Sequence, residues 1–508
     1  ILLTVASLTA QTPTVTATKV DTFTPNGAGK VLPAAPIRYN TTITNTGGTT
    51  ATGVNFADVI PENTTLVPGS VNVSPLAEDD VYTTIVNTQL AAGAPTVLSG
   101  PVVTSVVKVT ANDREFLTDT FTISASDSAS ANGGSVIMFP DGSFTYVPPA
   151  GFTGVDSFTY TIRDDGTDST AGNSDDLTGT GIVTITVNDA NTGLAGVQKV
   201  WYIDGSYAGA NGAENGTSAR PFNALSDVSG GGPDLAGDTL YLAAGAYTGG
   251  ITLLADQTLV GANEALVLNS VTLATAGTDP VIANSGGAGI TLATGNTLRA
   301  FTIGNTSDVD IAGTAVGNLT VSNVICNGTG SIFTVSTSGA LNVTLDNATT
   351  TSASSGISLT SCTGSFTANS GSISGVAGDD VVINGGTVTT TASLLKGTGG
   401  TGTATVTLNG GTLNFTGTGS LDLGVNRSLT LNASGGTLSV PSATGVLTLS
   451  GGIVTGSTGS LTKTGSGTVI IPGTSAWTAS GNNVTVSDGT LRAGFGTDRK
   501  STRLNSSH

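Results

Sequence analysis

Alternation of apolar and polar residues with a period of two dominates the chain. Short runs rich in Thr, Val and Ile, such as Thr14–Thr18, Val183–Val187 and Thr239–Leu242, are separated by clusters of Gly, Asn, Asp and Pro. Such runs are typical of β-strands and such clusters are typical of turns. One segment departs from this pattern, because Ser218 precedes Pro221–Val228, where a Pro in the first turn predicts a short helix. We therefore expect an all-β protein with one short helix.

From about residue 258 the predicted strands recur at a nearly constant spacing. The apolar positions Leu298, Leu319, Leu341 and Phe366 are separated by 21, 22 and 25 residues. One coil of a β-solenoid, with three short strands and their turns, takes about 20–30 residues. Each coil would bury Leu, Val and Ile, place Gly, Asn and Asp in turns, and expose rows of Thr and Ser. The spacing therefore predicts a solenoid.

Composition narrows the possible function classes. Only 10% of the 508 residues are charged, the net charge is −18, and the chain has 1 His, 2 Cys and 72 Gly. The scarcity of Lys and Arg excludes a basic nucleic-acid interface, and the single His excludes a His-based active site or zinc cluster. Two Cys exclude a disulfide scaffold, and the Gly content excludes a helical bundle. The length predicts roughly three or four domains.

Both ends of the chain have an unusual sequence. Ile1–Gln11 is an apolar run that is consistent with the rear of a signal peptide, or with a strand of this or an upstream domain. Apart from it, no apolar run is long enough to span a bilayer. Asp498–His508 resembles the translation of a common sequencing adapter, and we exclude it from the fold. Without its three basic residues and one acidic residue the net charge is −20, and no His remains. We expect both ends to be cuts in a longer protein.

Two segments resemble small sandwich repeats of bacterial surface proteins. Ile37–Val71 resembles the domain-of-unknown-function 11 repeat, an Ig-like sandwich. Gly142–Asp164 resembles the Ig-like or cadherin-like tandem repeats of large surface proteins. Its aromatic residues lie two apart on each of two predicted strands, so each pair faces one side of its sheet. These pairs are Phe144 with Tyr146 and Phe158 with Tyr160.

The second half of the chain resembles solenoid proteins. Val200–Leu225 followed by Gly237–Gly261 resembles the opening of a pectate-lyase-like, right-handed parallel β-helix. Gly459–Gly494 resembles the autotransporter-associated β-strand repeat, which is found in passenger regions of secreted proteins. The two resemblances together imply a surface-exposed solenoid.

These observations predict an all-β chain with two Ig-like β-sandwich domains followed by a right-handed parallel β-helix. The predicted boundaries are 1–12 for an N-terminal remnant, 13–76 for an Ig-like sandwich, 77–190 for an Ig-like or cadherin-like sandwich, 191–220 for a linker and cap of the β-helix, 221–390 for the β-helix, 391–497 for its continuation with the autotransporter-like repeat, and 498–508 for the adapter-like segment.

Proteins with a β-helix are often polysaccharide lyases or hydrolases, so the acidic residues need consideration. Asp308 and Asp310 point the same way if they lie on a strand, and Arg299 lies one strand or turn earlier. A second pair is Asp379 and Asp380. A hydrolase would use such a pair as acid and base, whereas Asp in turns commonly accepts hydrogen bonds from backbone amides. We favour the structural interpretation and predict no catalytic residues.

Calcium is the one cofactor that the sequence indicates. Acidic residues of the second sandwich fall at predicted strand ends and loops, and hard oxygen ligands at such places suit Ca²⁺. The resemblance to cadherin-like units implies the same ion, because related units often bind it at domain junctions. The candidate ligands are Asp79, Asp80, Asp113, Asp164, Asp165 and Asp189.

Cysteine and tryptophan suggest little chemistry. Cys326 and Cys362 are 36 residues apart, between one and two coils, so they bond only if a loop brings them into adjacent coils. We expect buried free thiols. Trp201 and Trp477 are either sugar-stacking platforms or packing residues, and packing is the usual role of a single Trp near the end of a solenoid.

The sequence thus predicts a non-enzymatic, extracellular bacterial surface protein, adhesin-like or a structural stalk. The Ig-like units would be spacers, and the β-helix would bind glycans, a surface matrix, or host or neighbouring-cell proteins. We expect no nucleic-acid partner and no membrane span in the visible chain. The alternative is a polysaccharide lyase or hydrolase carried on Ig-like modules. A purely structural layer or fibre component is a third possibility.

Overall fold

The computed structural model is all-β and divides into two compact units, residues 1–71 and 72–508, which we describe separately. It describes residues 14–22, 37–47, 59–60, 62–67, 73–96, 100–116, 119–166, 169–170, 172–173, 176–190, 196–210, 212–351, 353–390, 395, 404–454, 457–475, 483–495 and 502–504. The N-terminal remnant, Trp477 and most of the adapter-like segment lie outside these residues. In the described part, no helix is long and apolar enough to cross a membrane.

The first unit contains one described hairpin. Strands β1 (Val15–Thr22) and β2 (Arg38–Asn45) pair antiparallel over eight residues each. The Lys19 ammonium lies 4.1 Å from the centre of the Tyr39 ring across this pair. Both strands are largely exposed to solvent. No further strand is described before residue 73, so the Ig-like sandwich expected at 13–76 remains a prediction.

Residues 73–190 form a β-sandwich, which we call the sandwich module. One sheet has the order β3, β10, β9, β6 and the other has the order β5, β4, β8, β7. The strands are β3 (Asp80–Ile85), β4 (Gln89–Ala92), β5 (Val102–Ser105), β6 (Phe121–Ser126), β7 (Ser135–Met138), β8 (Phe144–Val147), β9 (Gly154–Asp164) and β10 (Thr178–Asn188), with a 3₁₀ turn at Val109–Ala111.

Each aromatic pair of the sandwich module faces one side of its sheet, as predicted, and the two pairs meet across the core. Phe144 and Tyr146 lie on β8 in one sheet, and Phe158 and Tyr160 lie on β9 in the other, and all four are buried. The ring of Phe144 lies edge-on to Phe158 at 5.3 Å and to Tyr82 at 5.0 Å. Such edge contacts stabilise a core beyond the area that they bury.

The rest of the chain folds as a parallel β-solenoid of about ten turns. Its strands are β11 (Val200–Ile203), β12 (Thr239–Leu242), β13 (Ala246–Thr248), β14 (Ile251–Thr252), β15 (Thr258–Gly261), β16 (Leu266–Leu268), β17 (Val271–Ala274), β18 (Val281–Asn284), β19 (Ile290–Leu292), β20 (Thr297–Thr306), β21 (Val309–Gly328), β22 (Ser331–Thr350), β23 (Ile357–Thr360), β24 (Thr363–Ala368), β25 (Gly371–Ile373), β26 (Val381–Asn384), β27 (Thr387–Thr390), β28 (Ala404–Leu408), β29 (Thr412–Phe415), β30 (Ser420–Asp422), β31 (Arg427–Leu431), β32 (Gly436–Ser439), β33 (Val446–Thr448), β34 (Leu461–Thr464), β35 (Thr468–Ser475), β36 (Val484–Val486), β37 (Thr490–Phe495) and β38 (Thr502–Leu504).

One inward ladder shows the coil period. From β20 onwards its residues recur every 22–25 positions, which confirms the predicted coil length. The sequence markers were not all equivalent, because Leu319 pairs with Leu341 whereas Leu298 pairs with Val321 two residues further on. The ladder comprises Leu240, Leu259, Leu298, Val321, Val343, Phe366, Val388, Leu413, Leu438, Lys463 and Val486.

The predicted helix at Pro221–Val228 is wrong. This segment contains only a 3₁₀ turn at Leu225–Asp227. Ser218 does not cap it, since its hydroxyl oxygen accepts a hydrogen bond from the Gln89 amide at 2.9 Å. Gln89 belongs to the sandwich module, 129 residues earlier, so a tertiary contact takes the place of the local cap.

The sandwich module and the first coils share one hydrophobic core. Side chains of β11, β12 and β15 and of the hairpin formed by β16 and β17 are buried together with the aromatic core of the sandwich module. The solenoid side of this cluster consists of Val200, Tyr202, Tyr241, Val260, Ala262, Leu266, Leu268 and Leu273. Strand β17 also contacts β5 of the sandwich module. We call this shared core and its polar contacts the junction.

Buried hydrogen bonds fix the junction. The Asn87 amide nitrogen donates to the Val200 carbonyl at 2.9 Å, and its side-chain oxygen accepts from the Gly151 amide at 2.6 Å. The Asn87 carbonyl accepts from the Ser218 amide at 2.7 Å. The hydroxyl groups of Thr88 and Tyr202 are 2.6 Å apart. Because these groups are buried, leaving one unpaired costs more than an exposed hydrogen bond is worth.

Candidate functional site

The first cluster of predicted calcium ligands lies at the start of β3. Asp80 is buried, and burial raises the pKa of its carboxyl to about 7. The Asp113 carboxylate accepts hydrogen bonds from the Tyr160 hydroxyl at 2.8 Å and the Glu78 amide at 2.9 Å. Asp79 accepts from a backbone amide of β10. The Oδ2 atoms of Asp80 and Asp113 are buried without a hydrogen-bond partner. These two oxygens are therefore the available ligands of the first cluster.

A second cluster forms around Asp164 at the end of β9. Its Oδ1 accepts from the Leu177 amide at 2.7 Å, while burial, with the neighbouring carboxylates of Asp119 and Asp176, raises the pKa of Asp164. Each of these three residues has one buried carboxylate oxygen without a partner. Arg163 lies 3.4 Å from the other oxygen of Asp176. Sequence reasoning missed Asp119 and Asp176, since acids in loops have no periodic signal.

The structure does not bring the six predicted ligands together. Asp165 lies next to the second cluster, but Thr120 occupies its carboxylate with hydrogen bonds of 2.7 and 2.9 Å, which lower its pKa. Asp189 lies apart, at the solenoid, where its carbonyl accepts from the Asn269 amide nitrogen at 2.8 Å. Across the described residues, no three His, Cys, Asp or Glu form a group that could hold a metal ion. Calcium binding therefore remains a prediction.

The acidic pair at β21 does not form two exposed carboxylates. Asp310 is fully buried, its Oδ1 accepts from the Thr306 hydroxyl at 2.8 Å, and its Oδ2 has no partner. Burial raises the pKa of Asp310 to about 7. Asp308 lies in the preceding turn, and Arg299 pairs with Glu264 at 2.7 Å. The three residues therefore have separate environments.

The second acidic pair joins neighbouring coils. Asp380 is buried against the Arg427 guanidinium, which also donates to the Ile373 carbonyl at 2.9 Å. Asp379 accepts from the hydroxyl groups of Thr405 and Thr407. The Asp379 carboxylate thus bonds to the next coil and the Asp380 carboxylate to the coil after it, which is a structural use of acids.

Cysteine and tryptophan also have packing roles. Cys326 and Cys362 are free and buried, as expected. Trp201 is buried, stacks on Phe222 with ring centres 5.9 Å apart, and donates from its indole nitrogen to Asp238 at 2.9 Å. It is therefore a packing residue at the first coil and not an exposed platform for sugars.

A small cavity lies at the junction. Its volume is about 40 Å³, and it is lined by Pro101 of the sandwich module and by Tyr202, Asp204 and Tyr241 of the solenoid. Such a volume is far below that of usual small-molecule sites. It can hold a few water molecules.

The most regular surface is the outward side of one solenoid sheet, which we call the threonine face. Nine strands stack side by side along this sheet, and on each of them two outward residues flank the residue of the inward ladder. We call each of these strands a rung of the face. The first column is Thr297, Thr320, Asn342, Ser365, Thr387, Thr412, Thr437, Thr462 and Thr485. The second column is Arg299, Ser322, Thr344, Thr367, Thr389, Asn414, Ser439, Thr464 and Ser487. Only Arg299 is charged.

The second outward column of the same sheet is apolar where the sandwich module covers it. On the three earlier strands, β11, β12 and β15, the second-column residues Tyr202, Tyr241 and Val260 are buried in the junction. The first column there has Val200, Thr239 and Thr258. The next strand, β20, has Thr297 and Arg299 at these positions. The second column therefore changes from apolar to polar where the cover ends, and from β20 onwards both columns are polar.

Comparison with known proteins identifies one domain. A family model described as a bacterial Ig domain matches residues 72–174, which is most of the sandwich module. No curated protein and no solved structure matches the chain significantly.

Proposed function

We propose that this chain belongs to a non-enzymatic, extracellular bacterial surface protein that presents the threonine face to an extended partner. The observation that carries the proposal is the nine-strand face of polar side chains, uncharged except for Arg299, whose second column becomes polar where the sandwich module ends its cover. Bacterial Ig domains are typical of surface and extracellular proteins, which supports the location. A solenoid offers a long repetitive surface suited to such binding.

An adhesive role is tested by binding of the whole chain to insoluble polysaccharides, extracellular matrix and bacterial cells. Thr412→Arg places a long cation at the centre of the threonine face, and we expect it to abolish binding. Thr430→Arg is the matched control, because Thr430 is an outward, half-buried residue of β31 on a different sheet ladder. Equal loss of binding in both variants, or binding by neither the parent chain nor the variants, would contradict the proposal.

The runner-up is a polysaccharide lyase or hydrolase. Incubation of the chain with pectin, alginate and glycosaminoglycans distinguishes such an enzymatic activity from binding alone. New unsaturated or reducing ends would overturn the non-enzymatic proposal. We expect none, because the acids at β21 and β26 are engaged in structural contacts.

Calcium binding to the sandwich module is part of the proposal. The orphaned carboxylate oxygens around Asp80 and around Asp164 support it, since Ca²⁺ prefers oxygen ligands. We expect Ca²⁺ to raise the melting temperature of the chain relative to EGTA, and Asp164→Asn to reduce that rise. Asp127→Asn is the control, because Asp127 lies on the surface with its carboxylate bonded to Thr159. An unchanged melting temperature would refute calcium binding.

A further inference from the structure

The threonine face is periodic in two directions. Between β22 and β34, each rung pairs with the next in continuous parallel register, as in Thr367 with Thr389 and Thr437 with Thr462. Strands of a sheet lie about 4.7–4.9 Å apart, and residues two apart on a strand about 6.6–6.8 Å apart. The hydroxyl and amide groups of the two columns therefore form a rectangular net. The first column alone has seven Thr in nine positions.

The side chains of this net are held in place. On the rungs from β24 to β34 the column residues are half-buried and flank a buried ladder residue, so each outward Thr there stands between neighbours of the rungs on both sides. Thr is branched at Cβ and has few rotamers in such a position. Contacts between rungs add to this, as the Asn414 amide donates to the Thr389 hydroxyl at 3.3 Å. Binding through such a surface costs little side-chain entropy.

The charge and the side-chain chemistry of the threonine face limit the chemical class of its partner. Beyond Arg299 at the covered end, the two columns have no charged residue, so the face does not select an ionic surface. It also has no outward aromatic side chain in the described rungs, and aromatic rings are the usual amphipathic platforms for large neutral ligands. The remaining features are methyl and hydroxyl groups at fixed intervals. They suit a neutral partner whose own hydrogen-bonding groups repeat on a matching net.

We propose that the threonine face binds ice. Water oxygens on the prism surface of hexagonal ice form a rectangular net with nearly the two repeats of this face, and that surface is neutral. Each rung would meet one row of water molecules, with hydroxyl groups bonding to the row and methyl groups lying between its members. A longer match in register gives a larger summed binding energy, since each contact is weak. This inference deepens the proposed function by naming the partner of the same face.

The test uses the whole chain in two ice assays, thermal hysteresis and inhibition of ice recrystallisation. We expect the parent chain to show both activities and to shape ice crystals. Thr412→Lys places a hydrated ammonium in the middle of the net, and we expect loss of thermal hysteresis. Thr430→Lys on the other sheet ladder is expected to keep it. Circular dichroism and melting curves check that both variants fold.

Three outcomes overturn the proposal. They are absence of both ice activities in the parent chain, equal loss in the two variants, and retention of full activity by folded Thr412→Lys. Binding of the parent chain to a polysaccharide through the threonine face, without ice activity, overturns the ice inference and leaves the proposed adhesive function intact. Self-association that Thr412→Lys abolishes would instead identify a second copy of the chain as the partner.

Discussion

Substitution of Asn87 tests whether the junction makes one folding unit of the sandwich module and the first coils. Asn87 is fully buried, and its side chain bonds to the Val200 carbonyl and the Gly151 amide. Asn87→Ala leaves both groups unpaired, at about 1–3 kcal/mol each. The backbone at Asn87 has φ of 61°, where Ala is disfavoured by about a further 1 kcal/mol. We expect a loss of about 4 kcal/mol in the free energy of unfolding.

At this position, the destabilisation caused by backbone strain can be measured separately from that caused by the lost side-chain hydrogen bonds. Asn87→Gly removes the same two hydrogen bonds, yet Gly adopts positive φ without strain. We therefore expect Asn87→Gly to be less destabilising than Asn87→Ala by about 1 kcal/mol. Urea unfolding followed by Trp201 fluorescence, with Trp477 replaced by Phe in every variant and in the parent chain, reports on the first coil, where Trp201 is buried. Far-UV circular dichroism reports on the whole chain.

The two probes also test whether the sandwich module and the first coils unfold together. If the junction unites the two parts, the parent chain loses Trp201 burial together with sandwich structure, and Asn87→Ala separates the transitions. A midpoint for Asn87→Ala equal to that of the parent chain would refute the energetic reasoning. Separate transitions already present in the parent chain would refute the coupling.

Three further predictions concern the interior of the solenoid. Burial raises the pKa of Asp310 to about 7, so the folded chain keeps this proton when the unfolded chain has lost it. Stability should therefore fall as the pH rises from about 4 to about 7, and Asp310→Asn should remove up to about 4 kcal/mol of that fall in urea titrations. Arg427→Met should cost about 3–5 kcal/mol by leaving Asp380 buried and unpaired, and the double variant with Asp380→Leu should recover most of it in a double-mutant cycle. Cys326 and Cys362 should react with a thiol reagent only after unfolding, because both are buried and burial raises the pKa of the Cys326 thiol; rapid reaction of the native chain would contradict this.

Local alternation explains which parts of the fold were predictable. The spacing of Phe144 and Tyr146 predicted a buried strand face, and the recurring apolar positions predicted coils of the observed length. Both signals come from residues within one strand or one coil. The junction has no such signal, because Asn87 and Ser218 are in contact although they are 131 positions apart in the sequence. A Ser before a Pro looks the same whether it caps a helix or bonds to a distant strand.

The candidate ligands show the same limit. Asp80 and Asp113 come together because a β-strand and a 3₁₀ turn meet, and Asp119 and Asp176 join Asp164 through loops. Counting acids located the two regions, yet it also included Asp189, whose described contact is through its backbone carbonyl. Charge in loops carries no periodicity from which a partner is inferred.

The limit of the covered region was nevertheless encoded in the chain. The strands Val200–Ile203 and Thr239–Leu242 consist of buried residues only, whereas strands from Thr297 onwards alternate buried and half-buried residues. A strand that is apolar on both sides must be covered on both sides. A sheet surface whose outward residues are mostly Thr over nine rungs does not need to be covered, because Thr pairs well on a solvated sheet. The change from one pattern to the other between Val260 and Arg299 therefore marks the end of the sandwich cover, and it separates the surface used for folding from the surface left for a partner.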